Sequence, residues 1–187
     1  MTSNRPYHHG DLRRVLLAVA VEAIEEAGPA ALSLRELARR AGVSHAAPAH
    51  HFGDKAGLLT ALAVEGFDLL AEAMRAAGDD LLDVGVAYVG FAVRHRAHFE
   101  VMFRPDLYRA DAEEVRAARE RSGAVLRSGV AAVSSGPDGA GAVRPNMLAA
   151  WSIVHGFATL WLAGALPPDV GSDPETSARE VISRLFP

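Results

Sequence analysis

Between Ser33 and Lys55 the chain reads SLRELARRAGVSHAAPAHHFGDK, and the side chains in this stretch suit DNA better than catalysis. A His can donate to or accept from a base edge, and an Ala can touch a thymine methyl. His45, Ala46, Ala47, Ala49 and His50 are the tips that would face bases, with Ser44 and His51 beside them. Ser33, Arg35 and Lys55 flank this set, where phosphate contacts are expected to come from. For Lys55 the alternative is a plain solvated lysine. Arg, Asn and Gln, the strongest base readers, are missing from the second half of the stretch.

Other chemistry finds little support. His95 and His98 are three apart, and His8–His9 and His50–His51 are adjacent, but two His do not fill a tetrahedral metal site. Glu100 is near in sequence without completing a set, so no metal is expected. The chain has no Cys nucleophile, no Gly-rich phosphate loop and no G-x-S-x-G elbow, so neither an enzyme nor a cofactor is indicated.

These residues must be positioned by a helix-turn-helix. Ser33 followed by Glu36 has the spacing of a capping box, and Leu34, Leu37, Ala38 and Ala41 mark one buried face. Gly42 can take the left-handed conformation that stops a helix, and Ser44 can cap the next one. Val43 would plug the turn into the core. Pro48 falls four residues after that cap, where it removes a hydrogen bond and predicts a tightened or bent start. Helix 1 is expected from about Asp11 to Ala27, with a stripe of Val15, Leu17, Ala20, Val21 and Ile24, ended by Gly28-Pro29. Gly53 or Asp54 would cap helix 4, which carries Leu58, Leu59, Leu62, Phe67, Leu70 and Met74 inward to about Ala77. Residues 1–9 read as an arm whose Arg5, Tyr7, His8 and His9 either follow DNA or form a plain disordered tail.

LRELARRAGVS, then HHF, DK and LL, resembles the N-terminal DNA-binding domain of TetR/AcrR-type transcriptional regulators. YHHGDLR at residues 7–13 and the W-x3-H-G of Trp151, His155 and Gly156 extend the similarity over nearly the whole chain. The resemblance implies a head at residues 1–55 and a helical ligand-binding and dimerisation body at residues 56–187. It also implies a Tyr, touching phosphate, where this chain has Ala49. A pocket in the body is implied too, with Phe91, His95, Met102, Phe103, Trp151, His155 and Trp161 as candidates; for any one of them, plain core is the competing reading. A His in an apolar helix needs a hydrogen-bond partner, and the neighbouring Gly156 suggests close helix approach, which favours a structural role for His155.

The rest of the chain fits this frame. Its 187 residues are half apolar and Ala-rich, without cysteine, which favours helices and excludes disulfides. The net charge of −4 divides into +1 for residues 1–56 (seven basic, six acidic) and therefore −5 for the remainder. An acidic body thus carries a DNA-reading head. Body helices are expected at about 80–96, 97–103, 111–133, 145–168 and 174–186, with a loop at about 134–141. The uncharged stretch Pro145–Pro168 approaches membrane length, but Asn146, Ser152, His155 and Thr159 argue for a soluble helix. One face (Ile153, Phe157, Leu160, Gly164) and another (Trp151, His155, Ala158, Leu162) would meet the body and a partner chain, in an order left open. The expectation is an all-α, cytoplasmic, homodimeric regulator that binds double-stranded operator DNA, most simply a repressor released from a palindrome by a small, largely apolar effector. The competing expectation is a small-molecule-binding bundle or interaction protein with a weakened DNA-binding head.

Overall fold

The computed structural model describes residues 9–133 and 139–184, and all regular structure among them is helical. The helices are α1 (His9–Ala31), α2 (Leu34–Arg40), α3 (Ala47–Phe52), α4 (Lys55–Ala76), α5 (Leu81–Arg94), α6 (Arg96–Met102), α7 (Glu113–Val133), α8 (Gly139–Leu162) and α9 (Pro174–Ser183). Single 3₁₀ turns stand at Pro105–Leu107 and Pro168–Val170. The all-α expectation holds. Most of the expected arm and of the expected 134–141 loop lies outside the described residues.

The chain divides into two compact units. One runs up to Val64 and takes in Ala97–Val115; the other holds Glu65–Arg96 and the residues from Arg116 onward. The first unit therefore includes a segment that a boundary at residue 55 assigns to the body.

In the first unit, α1, α2 and α3 pack on one another around Leu16, Ala20, Ile24, Leu37, Ala38 and Phe52. The α1 stripe is turned from its expected setting: Leu16 is fully buried, while Val15 and Val21 are half-buried. Gly28 leaves helical geometry (φ 75°, ψ 163°) and lets the chain bend ahead of Pro29. Gly42 has φ 66°, the left-handed conformation its position required. Two local expectations fail here. Ser33 is the N-cap of α2 by backbone, but its hydroxyl makes no capping bond. Glu36 cannot complete a capping box because Arg39 and Arg40 hold its carboxylate, at 2.6 Å and 3.0 Å. Ser44 does not cap α3 either; the helix begins at Ala47, so Pro48 sits in the first turn, where a missing N–H costs nothing and no bend is needed.

In the second unit, α5 packs against both α8 and α9. Asp80 caps α5 by accepting from the Leu82 and Asp83 amides at 2.8 and 3.1 Å. Gly85 lets α8 and α9 come close: a Cβ there would stand 3.2 Å from Ile182 and 3.3 Å from Val154. Leu81, Val130 and Ala150 join α5, α7 and α8 in a buried cluster with Leu126 and Met147 against it. On α8, Ala150, Val154, Phe157 and Ala158 are buried, while Leu148, Trp151 and Leu160 are exposed. Burial thus cuts across both predicted faces of this helix. Among the described residues no helix is long and apolar enough to cross a membrane.

Candidate functional site

The outer surface of the helix-turn-helix presents Ser44, His45, Ala46, Ala49 and His50 to solvent, as do the flanking Ser33 and Arg35. Ala47 and His51 are half-buried. His51 stands between His50 and Phe52, with ring centroids 5.6 and 6.2 Å away. Pro48 and Phe52 are the buried side chains of α3, and the Arg13 guanidinium lies 5.3 Å from the Phe52 ring centre. A six-residue helix anchored by so few side chains leaves most of its surface free to face a ligand.

Positive charge on this surface is partly spent. Arg39 and Arg40 share Glu36, and Arg40 also reaches Glu26 at 2.8 Å. These hydrogen bonds, Arg39 first, hold the Glu36 carboxyl at about 2, well below its usual range. Arg35 makes no ion pair among the described residues. Lys55 is half-buried and donates to the Ala30 carbonyl at 2.8 Å, so one of its three N–H groups is committed to the end of α1. Asp54 caps α4 by accepting from the Gly57 amide at 2.8 Å, and that bond, with the nearby Arg109 guanidinium, lowers its pKa. Arg109 is a neighbour that no sequence pattern indicated; it lies 55 residues from Asp54 along the chain and 3.0 Å away in space.

The effector candidates fall into two groups. Met102 and Phe103 belong to the first unit, with Met102 buried and Phe103 edge-on to Phe99 at 5.0 Å. Phe91, His95, Trp151, His155 and Trp161 belong to the second. Phe91 is fully buried with His95 stacked on it at 5.2 Å, and Trp161 stacks on Phe157 at 5.9 Å. Trp151 and His155, one turn apart on α8, both reach Tyr88 on α5. The Trp151 indole N–H donates to the Tyr88 hydroxyl at 3.3 Å, and that hydroxyl shares a hydrogen bond of 2.9 Å with His155 Nδ1. Burial lowers the His155 pKa, and burial likewise pushes the Tyr88 phenol up. Tyr88 was not read from the sequence, since nothing local ties it to a residue 67 positions away. No described residue lies within 4 Å of a Cβ built on Gly156, so the close helix approach expected there is not found in this chain.

The second unit also contains a cleft of about 440 Å³ between the end of α4, α5 and α7. Val84, Ala124, Val125 and Gly129 give it apolar walls, and Arg75, Asp79, Arg121 and Ser128 line its polar part. None of the effector candidates lines it. Arg121 is held by Asp68 through two bonds of 2.7 and 3.0 Å.

Comparison with known proteins gives consistent results. Residues 16–62 match the family described as bacterial regulatory proteins, tetR family, and residues 81–185 match the tetracyclin repressor-like C-terminal domain. A protein of unknown function from Rhodococcus sp. RHA1 is 38% identical, with 98% of this chain and 97% of that one aligned and a TM-score of 0.79. A tetR-family regulatory protein from Rhodococcus RHA1 is 24% identical over 99% and 97% of the two chains, with a TM-score of 0.70. AibR, solved with isovaleryl coenzyme A and operator DNA, is 22% identical over 94% and 98%, with a TM-score of 0.64. No protein of curated function matches.

Proposed function

The chain belongs to the TetR family of bacterial regulatory proteins, and on that premise we propose that it is a homodimeric repressor that leaves a palindromic operator when a small, largely apolar effector binds. The observation that carries this reading is the exposed outer surface of α3 and its preceding turn, Ser44 to His50, set by the left-handed Gly42. A short helix with its outer side free is what enters a major groove, and His45, Ala46, Ala49 and His50 would meet base edges there. Ser33, Arg35 and Lys55 would grip phosphates beside them.

Dimerisation is supported by where the apolar surface remains. Leu148, Trp151 and Leu160 on α8 and Val181 on α9 are exposed, and open space lies beside Gly156. A second copy would cover them, and two heads would then read two half-sites. The 440 Å³ cleft has the size of a small-ligand site. AibR, a relative in fold, is bound in its crystal to both an acyl-coenzyme A and DNA, which supports a ligand-responsive reading here. Effector binding would favour a head spacing that does not fit DNA, a population shift rather than a new contact with DNA.

The test is selection from random genomic fragments followed by gel shift. One preferred inverted repeat, resistant to random competitor, supports the proposal, and His50→Ala should alter the preferred bases. Binding that competitor removes entirely, with no sequence enriched, would overturn operator recognition and favour a bundle with a weakened head, the reading that Ala49 motivates. Leu160→Glu should yield a monomer in light scattering; an unchanged dimer would move the interface elsewhere.

A further inference from the structure

Arg109 sits in the turn before α7, and two bonds fix that turn. Its amide donates to Thr60 Oγ1 at 3.1 Å, and the Tyr108 hydroxyl before it donates to the Met102 carbonyl at 2.8 Å. The side chain then reaches the connection between α3 and α4. Nη2 donates to Asp54 Oδ2 at 3.0 Å, and Nη1 lies 3.2 Å from where a Cβ on Gly57 would stand. Gly53, the residue after α3, is 4.0 Å from Nη2 by the same measure. The guanidinium is more than half exposed and has no other partner among the described residues.

An exposed pair of this kind contributes little to stability. Its electrostatic effect is larger. Asp54 is ionised and stands directly before Lys55, where its charge would repel an approaching phosphate. Arg109 cancels that charge and still offers unused N–H groups in a planar fork suited to phosphate oxygens. Within the helix-turn-helix, Arg39 and Arg40 are tied to Glu36 and Glu26 and Lys55 to Ala30, which leaves Arg35 as the cation without an ion pair among the described residues there.

We propose that Arg109 is a DNA-backbone contact, carried to the helix-turn-helix by the Ala97–Val115 segment and gripping a phosphate beside Lys55. This rests on the DNA-binding function proposed above. The site is sequence-independent and takes a phosphodiester, so its signature is salt dependence rather than base preference.

The experiment is a salt titration of binding to a random-sequence duplex and to the selected operator. Arg109→Gln should bind both about threefold to tenfold more weakly at low salt, with a salt slope shallower by about 0.9 per protomer. Arg109→Lys should keep most of the slope. Asp54→Asn, which can still cap Gly57 through its amide oxygen, should tighten binding about twofold by removing a negative charge near the phosphate. An unchanged slope in Arg109→Gln overturns the contact, as does equal weakening by Asp54→Asn and Arg109→Gln, which would mean that the pair only orders the connection. If Arg109→Gln melts early, the slopes of Arg109→Lys and Asp54→Asn decide. A wild-type protein that binds neither duplex sinks the DNA reading itself; wild-type binding with an unaltered slope in the variant sinks this contact alone.

Discussion

The recognition helix and the central helix of the second unit are built in opposite ways. Six-residue α3 is held by two buried side chains, Pro48 and Phe52, and turns the rest outward. Fourteen-residue α5 buries nine residues and has neighbours on two sides. The contrast teaches where function can reside in each. On α3 almost any outward residue can change without unfolding the head, so sequence preference can drift freely there. On α5 a polar group survives only with partners, so Tyr88 with His155 and Trp151 marks a place under strict hydrogen-bonding constraint.

The largest test of this contrast is a pair of truncations. Phe91→Ala and Phe52→Ala should each cost about 3–5 kcal/mol. By calorimetry, Phe91→Ala should remove the main melting transition, whereas Phe52→Ala should keep it and lose DNA binding. A Phe52→Ala variant with no transition at all would show that the head and the second unit fold as one.

Next in size is His155→Leu, which takes away a hydrogen-bond partner of a buried phenol and should cost about 1–3 kcal/mol while leaving the oligomer intact. The pH dependence has a definite sign. The folded pKa of His155 lies below 6.5, so the unfolded chain takes up the proton first, and stability is complete above 6.5 and falls as pH drops below it. Denaturant midpoints across that range should show the loss in wild type and lack that component in His155→Leu. A monomeric His155→Leu would instead place this side chain in the dimer interface.

Gly42→Ala should cost about 1 kcal/mol, because the left-handed backbone is strained for Ala while the space beside it is open. Urea unfolding measures this, and a neutral result would mean that the turn relaxes to another geometry. The smallest effect belongs to Glu36→Gln, at a partly exposed surface site. The depressed carboxyl contributes stability above its ordinary 4.5 that fades as pH falls toward about 2. Melting curves of wild type and variant should converge at the acid end; a constant gap would assign the effect to something other than the Arg39 and Arg40 pairs.

Much of the architecture was legible because helices declare themselves locally. The inward residues of α4 repeat at helical spacing, and that helix ends at Ala76, one residue from its expected end. What misled was competition between local signals. Ser33 and Glu36 have capping-box spacing, but Arg39 and Arg40 lie on the same turn of surface and win the carboxylate. Ser44 is a good cap residue, but Pro48 fits a first turn better than a second, and it moved the start of α3 to Ala47.

Sequence by itself determined the helical class, the helix-turn-helix with its left-handed Gly42, and the family, because periodicity and special backbone positions act over a few residues. Only the tertiary structure decided that Arg109 meets Asp54, that Tyr88 joins Trp151 to His155, and which side of α8 is covered. Those partners lie 55 to 67 residues apart, and their meeting depends on how whole helices pack, which no local pattern records.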